Sequence, residues 1–295
     1  MGETLVEFRP RAPVNINSGC GGDEPSAMGA NPQDRALTDL QGVQVRIATT
    51  DREREQACRL RYQVYCVEND FEPASRHRDG LETDLYDAQS VHGLLIYRDT
   101  SALAGTVRLI LPRRGKSGLP LPTPMICGPG VLATHVHRIP AHSTAELSRF
   151  AISKSERQRH ISQISTDPDR AAFGATARQV VSTISLGLMQ AAIAMAQTHQ
   201  ISHLYALMEP ALLRMLRGLG IHFEKLGPVV DYHGRRQPCF CDLDELLGTA
   251  WIERPDIWAV LTDQGVLWPS PSAEVVDLRR IAPKRPAESV LPAAE

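Results

Sequence analysis

The sequence predicts one α/β (α+β) domain: a mixed, mostly antiparallel central sheet flanked by helices, with a polar tail at each end. Three observations predict it. Short β-rich runs alternate with helical periodicities in the order β-α-loop-β-β-loop-β-α-β-α-β-β. One long apolar helical stripe lies between two strand-like runs; a connection of that length lets two strands run parallel, while the short links leave the others antiparallel. Residues 1–43 are rich in Gly, Pro, Asn, Ser and Asp, and residues 269–295 in Pro, Ala and Arg. Both read as disordered tails, which leaves 44–268 as the folded domain.

The elements follow in chain order. Gln44–Thr49 is the first strand. Thr50 followed by Glu53 is a capping-box pattern, and Ala57, Leu60 and Val64 recur at helical spacing, so a helix is expected to about Glu68. Asn69–Asp84 is polar and broken by Pro73 and Gly80, a loop. Val91–Tyr97 and Leu103–Leu111 form a hairpin through Arg98–Ala102. Pro112–Ser143, rich in Pro and Gly, reads as a long loop, and Ala145–Ile152 as another strand. From Phe173 to Gln197 the residues Phe173, Ala177, Val180, Val181, Ile184, Leu188, Ala191 and Met195 make one apolar stripe, the strongest helix signal. Ile201–Met208 is a strand. Pro210 then opens a helix that Gly218 and Gly220 close. Ile221–Val230 and Arg236–Cys241 are the last strands, joined at His233-Gly234, and Asp242 with Glu245 starts one more short helix.

Composition narrows the function classes. Of 295 residues, 42% are hydrophobic and 22% charged, which excludes a disordered chain, a collagen-like chain and a disulfide mini-protein. Lys plus Arg is 32 and Asp plus Glu is 34, a net charge of -2, so no global field draws the chain to nucleic acid or to an anionic membrane. No uninterrupted apolar run approaches the roughly 20 residues of a membrane span. The opening MGETLVEFRP has no apolar signal core, so a cytoplasmic location is expected. The cysteines, Cys20, Cys58, Cys66, Cys127, Cys239 and Cys241, include no CxxC pair. Cys239 and Cys241 share one face of a strand without further ligands, so reduced buried thiols are expected, and no metal site.

Two stretches attract chemical interest. Gly80–Asp87 carries Glu82, Asp84 and Asp87 just before a strand; taken alone it reads as a solvated acidic loop. Glu146-Leu147-Ser148-Arg149-Phe150 puts a carboxylate and a guanidinium on a β-rich run, on opposite faces if the strand is regular; taken alone, Glu146 reads as an ion-pair partner.

Together with Arg61, Tyr65, Phe71 and Arg108 these stretches form a pattern. Arg61-x3-Tyr65-x5-Phe71, then Glu82-x-Asp84-x2-Asp87, then Gly105–Pro112 with Arg108, then Glu146-x2-Arg149-Phe150 resembles the acyl-homoserine-lactone (autoinducer) synthases, whose fold is like that of the GCN5-related N-acyltransferases (GNAT). Where that family has Phe and Trp, this chain has Tyr65 and Phe71. The strings Arg61–Cys66, Ala206–Pro210 and Val230–Arg236 are similar to the acyltransferases associated with exosortase and PEP-CTERM sorting systems; long-chain N-acyl amino acid synthases are a further relative. The resemblance implies an acyl thioester donor and an amine acceptor, with no tightly bound cofactor.

Aminolysis of a thioester needs no covalent enzyme intermediate; it needs a proton acceptor, alignment and support for the developing oxyanion. The resemblance puts Glu146 at the proton, with Asp84 as the alternative base. Arg108 and Arg149 would hold Glu146 or the acidic loop in place. Asp84 and Asp87 would orient the amine, with Glu82 as support, and Arg61 would pair with the same cluster. For each arginine an ion pair organising the loop stands beside direct substrate contact. GNAT-like folds hold the coenzyme A pyrophosphate at a Gly-rich turn after the central strand. The corresponding stretch here, Ser153–His160, has no Gly, which favours acyl carrier protein as the donor, docked on Lys154, Arg157 and Arg159. The bland reading of that basic run is a solvated face. The alternatives are a lactone synthase using S-adenosylmethionine, a non-catalytic acyl-chain-binding module on the same scaffold and, weakest, a transferase using Cys66 or Cys127.

Overall fold

The structure, a computed structural model, describes residues 40, 42–113, 118–132, 139–166 and 177–270. The two predicted tails, apart from their inner edges, lie outside the described residues, as do Cys20 and Phe173.

Strand β1 (Val43–Ile47) leads to helix α1 (Asp51–Tyr62). The predicted capping box forms: Thr50 Oγ1 accepts from the Glu53 amide at 3.2 Å, and Glu53 Oε2 accepts from the Thr50 amide at 3.1 Å. The helix continues as a π-helical stretch, Gln63–Glu68, and so ends at Glu68. Strands β2 (Ser90–Tyr97) and β3 (Leu103–Ile110) form the predicted hairpin. Helix α2 (Pro122–Leu132), strand β4 (Thr144–Ile152) and helix α3 (Lys154–Thr166) follow. Then come helix α4 (Ala177–Thr198), strand β5 (His203–Met208) and helix α5 (Pro210–Gly218). The chain closes with β6 (Glu224–Lys225), β7 (Val230–Asp231), β8 (Arg235–Asp242), α6 (Leu243–Glu253) and α7 (Pro255–Leu261).

The described strands form one eight-stranded sheet in the order β1-β2-β3-β4-β5-β8-β6, with β7 paired to β8. Every pairing is antiparallel except β4 with β5, the parallel pair that the long helix connection implies. On β3, Gly105, Val107 and Leu109 face α4, while Arg108 and Ile110 face the opposite side. Two glycines let α4 seat closely on the sheet. A Cβ at Gly93 would lie 2.7 Å from Ala191 Cβ, and one at Gly187 2.5 Å from Leu95 Cδ1. Val180–Thr198 is long and apolar enough to cross a membrane, although Ser, Thr and Gln interrupt its apolar residues. Most of it is buried as the core helix, Ser182, Ser185 and Gln190 included, while Gln197 and Thr198 at its end are exposed.

Four further expectations are corrected. The loop expected over 112–143 contains α2, kinked at Gly128 (φ 72°). Pro122 and Pro124 do not prevent it, because first-turn amides have no intrahelical acceptor to lose. Ser153–His160 opens α3, a charged helix without the apolar stripe that periodicity detects. The strand expected over Ile221–Val230 is two short ladders on β8, interrupted at Gly227-Pro228, where proline cannot donate. Helix α7 was not assigned.

Candidate active site

The site begins with an irregularity in β4. Arg108 pairs with Ser148, but Thr106 pairs with Ala151, so β4 carries an extra residue between them. Arg149 takes it up with φ 50°. The bulge reverses the alternation: Glu146, Ser148 and Arg149 line one cavity. The regular-strand expectation put Glu146 and Arg149 on opposite faces, and the bulge overturns it.

Below this face the acidic loop and three arginines interlock. Arg61 Nε donates to Glu82 at 2.5 Å, and its two terminal nitrogens donate to Asp87 at 2.6 and 3.1 Å. Arg108 grips Asp84 with two bonds of 2.6 and 3.0 Å, reaches Asp87 at 3.0 Å and donates to the Ser148 hydroxyl at 3.0 Å. Arg149 donates to Glu82 at 2.9 Å and to Asp84 at 2.9 Å. Both oxygens of Glu82, Asp84 and Asp87 accept arginine or backbone donors. Asp84 and Asp87, expected to orient an amine, are each already bonded to two of three buried guanidiniums. Of the two roles weighed for Arg108 and Arg149, holding the acidic loop is the one these contacts match.

Burial alone would raise the Glu82 carboxyl, but Arg61 and Arg149 outweigh it and hold it down at about 2. Asp87 is also held well below the usual range, by Arg61 and Arg108 against burial. His92 on β2 lies 3.6 Å from Asp87; burial and the Arg61 charge lower it to about 4, so it is neutral at pH 7. A depressed carboxyl stabilises the fold above its unfolded pKa and loses that contribution as pH falls through the folded one. Thermal melts should therefore show stability falling as pH drops from about 4.5 toward 2. Glu82→Gln should be less stable at pH 7 and less sensitive to acid; equal acid profiles for the two chains would refute the network's role.

Glu146 stands apart from this network. It is 1% exposed, and its Oε2 accepts from the Thr123 amide, at the start of α2, at 2.8 Å. Burial pushes its carboxyl up to about 7; the Thr123 amide and the more distant Arg108 charge only partly oppose this. A carboxyl so placed exchanges a proton near neutral pH. Thr123 was missed in the sequence, since its amide arrives through the fold.

The cavity at Glu146, about 50 Å³, is walled by Tyr65, Arg108, Ile110, Pro122, Arg149 and the hairpin residues Tyr232, His233 and Arg236. It adjoins an open groove of about 510 Å³, with Tyr65, Leu147, Ser148, Arg149, Leu207 and Arg236 common to both. The groove exists because β4 and β5 pair only as far as Leu147 and Ala206 and then diverge. Its walls are Ser148–Ile152 on one side and Leu207–Glu209 on the other, with Val64, Val181, Leu212 and Met215 adding apolar surface. Tyr65 and Phe71 meet edge to face at 6.0 Å between Arg149, 5.3 Å from the Tyr65 ring centre, and Arg236, 5.1 Å from that of Phe71. The Phe71 and Glu72 amides both donate to the Tyr65 carbonyl within the π-helical stretch, fixing that pair. His233 (φ 52°) and Gly234 (φ 88°) turn the hairpin toward Glu72, whose Oε1 lies 2.6 Å from His233 Nδ1. The run Val230–Arg236 carried a resemblance but no role in the sequence. Its Tyr-His-Gly-Arg-Arg composition between two strands was the available signal.

Of the predicted docking residues, Lys154 and Arg159 are exposed and Arg157 half-buried. Lys154 Nζ donates to Asn69 Oδ1 at 2.5 Å, and Arg159 pairs with Glu156 at 2.5 Å. Glu68, at the end of the π-helical stretch, caps α3: it accepts from the Lys154 amide at 2.8 Å and the Ser155 amide at 3.3 Å. Cys66 and Cys127 have thiols raised by burial, which disfavours the nucleophilic thiolate. Among the described residues no group of three or more His, Cys, Asp or Glu is arranged to hold a metal ion.

A mixed, mostly antiparallel sheet flanked by helices and opened between its one parallel pair is a GNAT-like fold. Residues 60–166, from the end of α1 through α3, match the family model described as an acetyltransferase (GNAT) domain. The chain is also similar to several solved structures. TofI in a ternary complex with an inhibitor and MTA is 21% identical over 72% of this chain and 99% of that one, with a TM-score of 0.47. FeeM, an N-acyl amino acid synthase from uncultured soil microbes, is 18% identical over 70% and 94%, with a TM-score of 0.44. BjaI, a CoA-dependent acyl-homoserine lactone synthase solved with SAM and isopentyl-CoA, is 19% identical over 82% and 100%, with a TM-score of 0.47. No curated protein matches the sequence.

Proposed function

We propose that this chain is an N-acyltransferase that moves a fatty acyl group from a carrier-protein thioester to the amine of an amino acid or similar small acceptor. The observation that carries the reading is Glu146, buried at the floor of a cavity that opens into an apolar groove between separated strands. The acyl chain and thioester arm lie in the groove. The amine attacks the thioester carbon from the Glu146 side. The N–C bond forms, the C–S bond breaks, Glu146 takes the proton released by nitrogen, and the departing thiolate takes a proton to leave as thiol. Arg61, Arg108 and Arg149 act by holding the acidic loop and the bulge rigid, so Glu146 does not move as charge develops. From the strings that resemble the exosortase-associated acyltransferases, Tyr65, Leu207, Tyr232, His233 and Arg236 line this cavity.

Two observations support a carrier-protein donor. The first amides of α3, where the resemblance expects a pyrophosphate, already bond to the Glu68 carboxylate, which repels a second anion. The basic residues Lys154, Arg157 and Arg159 lie beyond them on the same helix. Docking by exposed charge is screened over about 8 Å at physiological salt, so it acts mainly on encounter.

The test compares acyl carrier protein thioester with acyl coenzyme A of equal chain length, reading free thiol released and N-acyl product by mass spectrometry. Raising salt, or the double reversal Arg157→Glu/Arg159→Glu, is expected to lower kcat/KM for the carrier donor about tenfold and to spare a short pantetheine thioester. Coenzyme A used equally well, with no response to salt or reversal, would overturn the donor assignment. Absence of any N-acyl product with either donor would overturn the activity itself and favour a binding module.

A further inference from the structure

We propose that Arg236 recognises an anionic group carried by the acyl acceptor, so that the acceptor class is α-amino acids rather than simple amines; this rests on the N-acyltransferase reading above. The charges around the Glu146 cavity single it out. Arg108 and Arg149 both line the cavity, but each is committed to two carboxylates of the acidic loop. His233 faces Glu72 at 2.6 Å. Arg236 is different: among the described residues no carboxylate lies within ion-pair distance of it. Its one hydrogen bond to protein there is from Nη1 to the Arg235 carbonyl at 3.1 Å. A guanidinium has five donors in a planar fork suited to a carboxylate. Half-buried and without a counter-ion, it is a cation in want of an anion.

Its placement is also fixed before any ligand arrives. The backbone of Arg236 pairs with Val230 in the ladder between β7 and β8, and its guanidinium lies 5.1 Å from the Phe71 ring centre. A pre-positioned fork loses little freedom on binding. The cavity is small, about 50 Å³, and holds both Arg236 and Glu146 on its walls. A molecule that gives its amine to the Glu146 side and its anion to Arg236 therefore carries the two groups close together, as an α-amino acid does. The phosphate of a carrier-protein arm is a poorer match. It is separated from the thioester sulfur by the whole pantetheine chain, and the thioester must lie beside Glu146.

The experiment uses the full chain with acyl carrier protein thioester as donor and two acceptor panels: the twenty amino acids and their carboxamides. The carboxamides keep the amine and remove the negative charge. The wild-type chain is expected to favour acids over amides by about tenfold to a hundredfold in kcat/KM, the range of a charge-assisted pair in a partly desolvated site. Arg236→Gln should raise KM for the acids by that factor more than for the amides and so erase the preference. Arg236→Lys should recover part of it, and melting temperatures of both variants report whether they fold. Turnover with an acid-to-amide ratio unchanged in Arg236→Gln overturns this proposal alone, as does a rise in KM for the carrier thioester instead of the acid. A folded wild-type chain that acylates neither panel overturns the N-acyltransferase reading, and this proposal with it.

Discussion

Replacing Glu146 with glutamine is expected to lower the turnover rate by about 10² to 10⁴, the range for loss of a general base, while making the folded chain more stable above pH 7. The two effects have one origin. Glu146 is 1% exposed, and burial raises its carboxyl to about 7 from an ordinary 4.5. A group whose folded pKa is raised stabilises the fold fully below its unfolded pKa, and that contribution is lost as pH rises through the folded pKa. At pH 8 the wild-type chain therefore holds a buried anion, at a cost on the order of 3 kcal/mol, which the neutral amide avoids. Melting curves at pH 5 and pH 8 measure the difference: the variant gains on the wild type only at the higher pH. The rate should rise with pH through about 7 in the wild type, and the residual rate of the variant should lack that limb. A variant that acylates at the wild-type rate would move the base elsewhere. Equal melting temperatures at both pH values would show that Glu146 is not desolvated.

Arg108→Ala should destabilise the chain by about 3 to 5 kcal/mol, as expected for removing one partner from a buried ion network. For a domain of this size that is a fall in Tm of about 10 °C. Arg108 is 1% exposed and supplies Asp84 with two hydrogen bonds and Asp87 with one. Without it those carboxylates keep their desolvation and lose a counter-charge. Protonation of the unpaired carboxylates relieves the variant at a pH where the wild-type network is still fully ionised, so the gap in Tm should narrow as pH falls from 8 toward 4.5, below which the wild type weakens as well. Arg108→Ala/Asp84→Asn should recover part of the loss, because it removes one unpaired charge. An unchanged Tm in the single variant would mean that the network contributes nothing to the fold.

Much of this arrangement was legible before any coordinates. The helix start at Thr50 and Glu53, the hairpin of β2 and β3, the stripe of α4 and the single parallel pair all follow from short-range periodicity and turn chemistry. Such signals act within a few residues, and a sequence states them directly. Arg61, Glu82, Asp84, Asp87, Arg108 and Arg149 could be singled out together only through the resemblance of their spacing to the autoinducer synthases; taken alone the acidic run reads as a solvated loop. Their pairings could not be read. Asp84 and Asp87 look like open carboxylates in the chain, and only packing shows that guanidiniums fill them. Helix α3 escaped because it has no apolar stripe, and α2 because its prolines fall where a helix tolerates them.

The sequence by itself determined the fold class and the order of nearly all the strands, since these depend on hydrophobic periodicity and turn chemistry, and its resemblance to the autoinducer synthases marked the charged residues that gather beneath the sheet. Tertiary structure alone decided three things. The one-residue bulge at Arg149 turned that side chain to the Glu146 face, which strict alternation forbids. The parting of β4 from β5 after Leu147 and Ala206 opened the groove. The burial of Glu146 against the Thr123 amide, away from every arginine fork, set its carboxyl near 7 while Glu82 stays near 2. All three depend on register and desolvation, properties of residues distant in sequence and adjacent in space, and no local pattern encodes them.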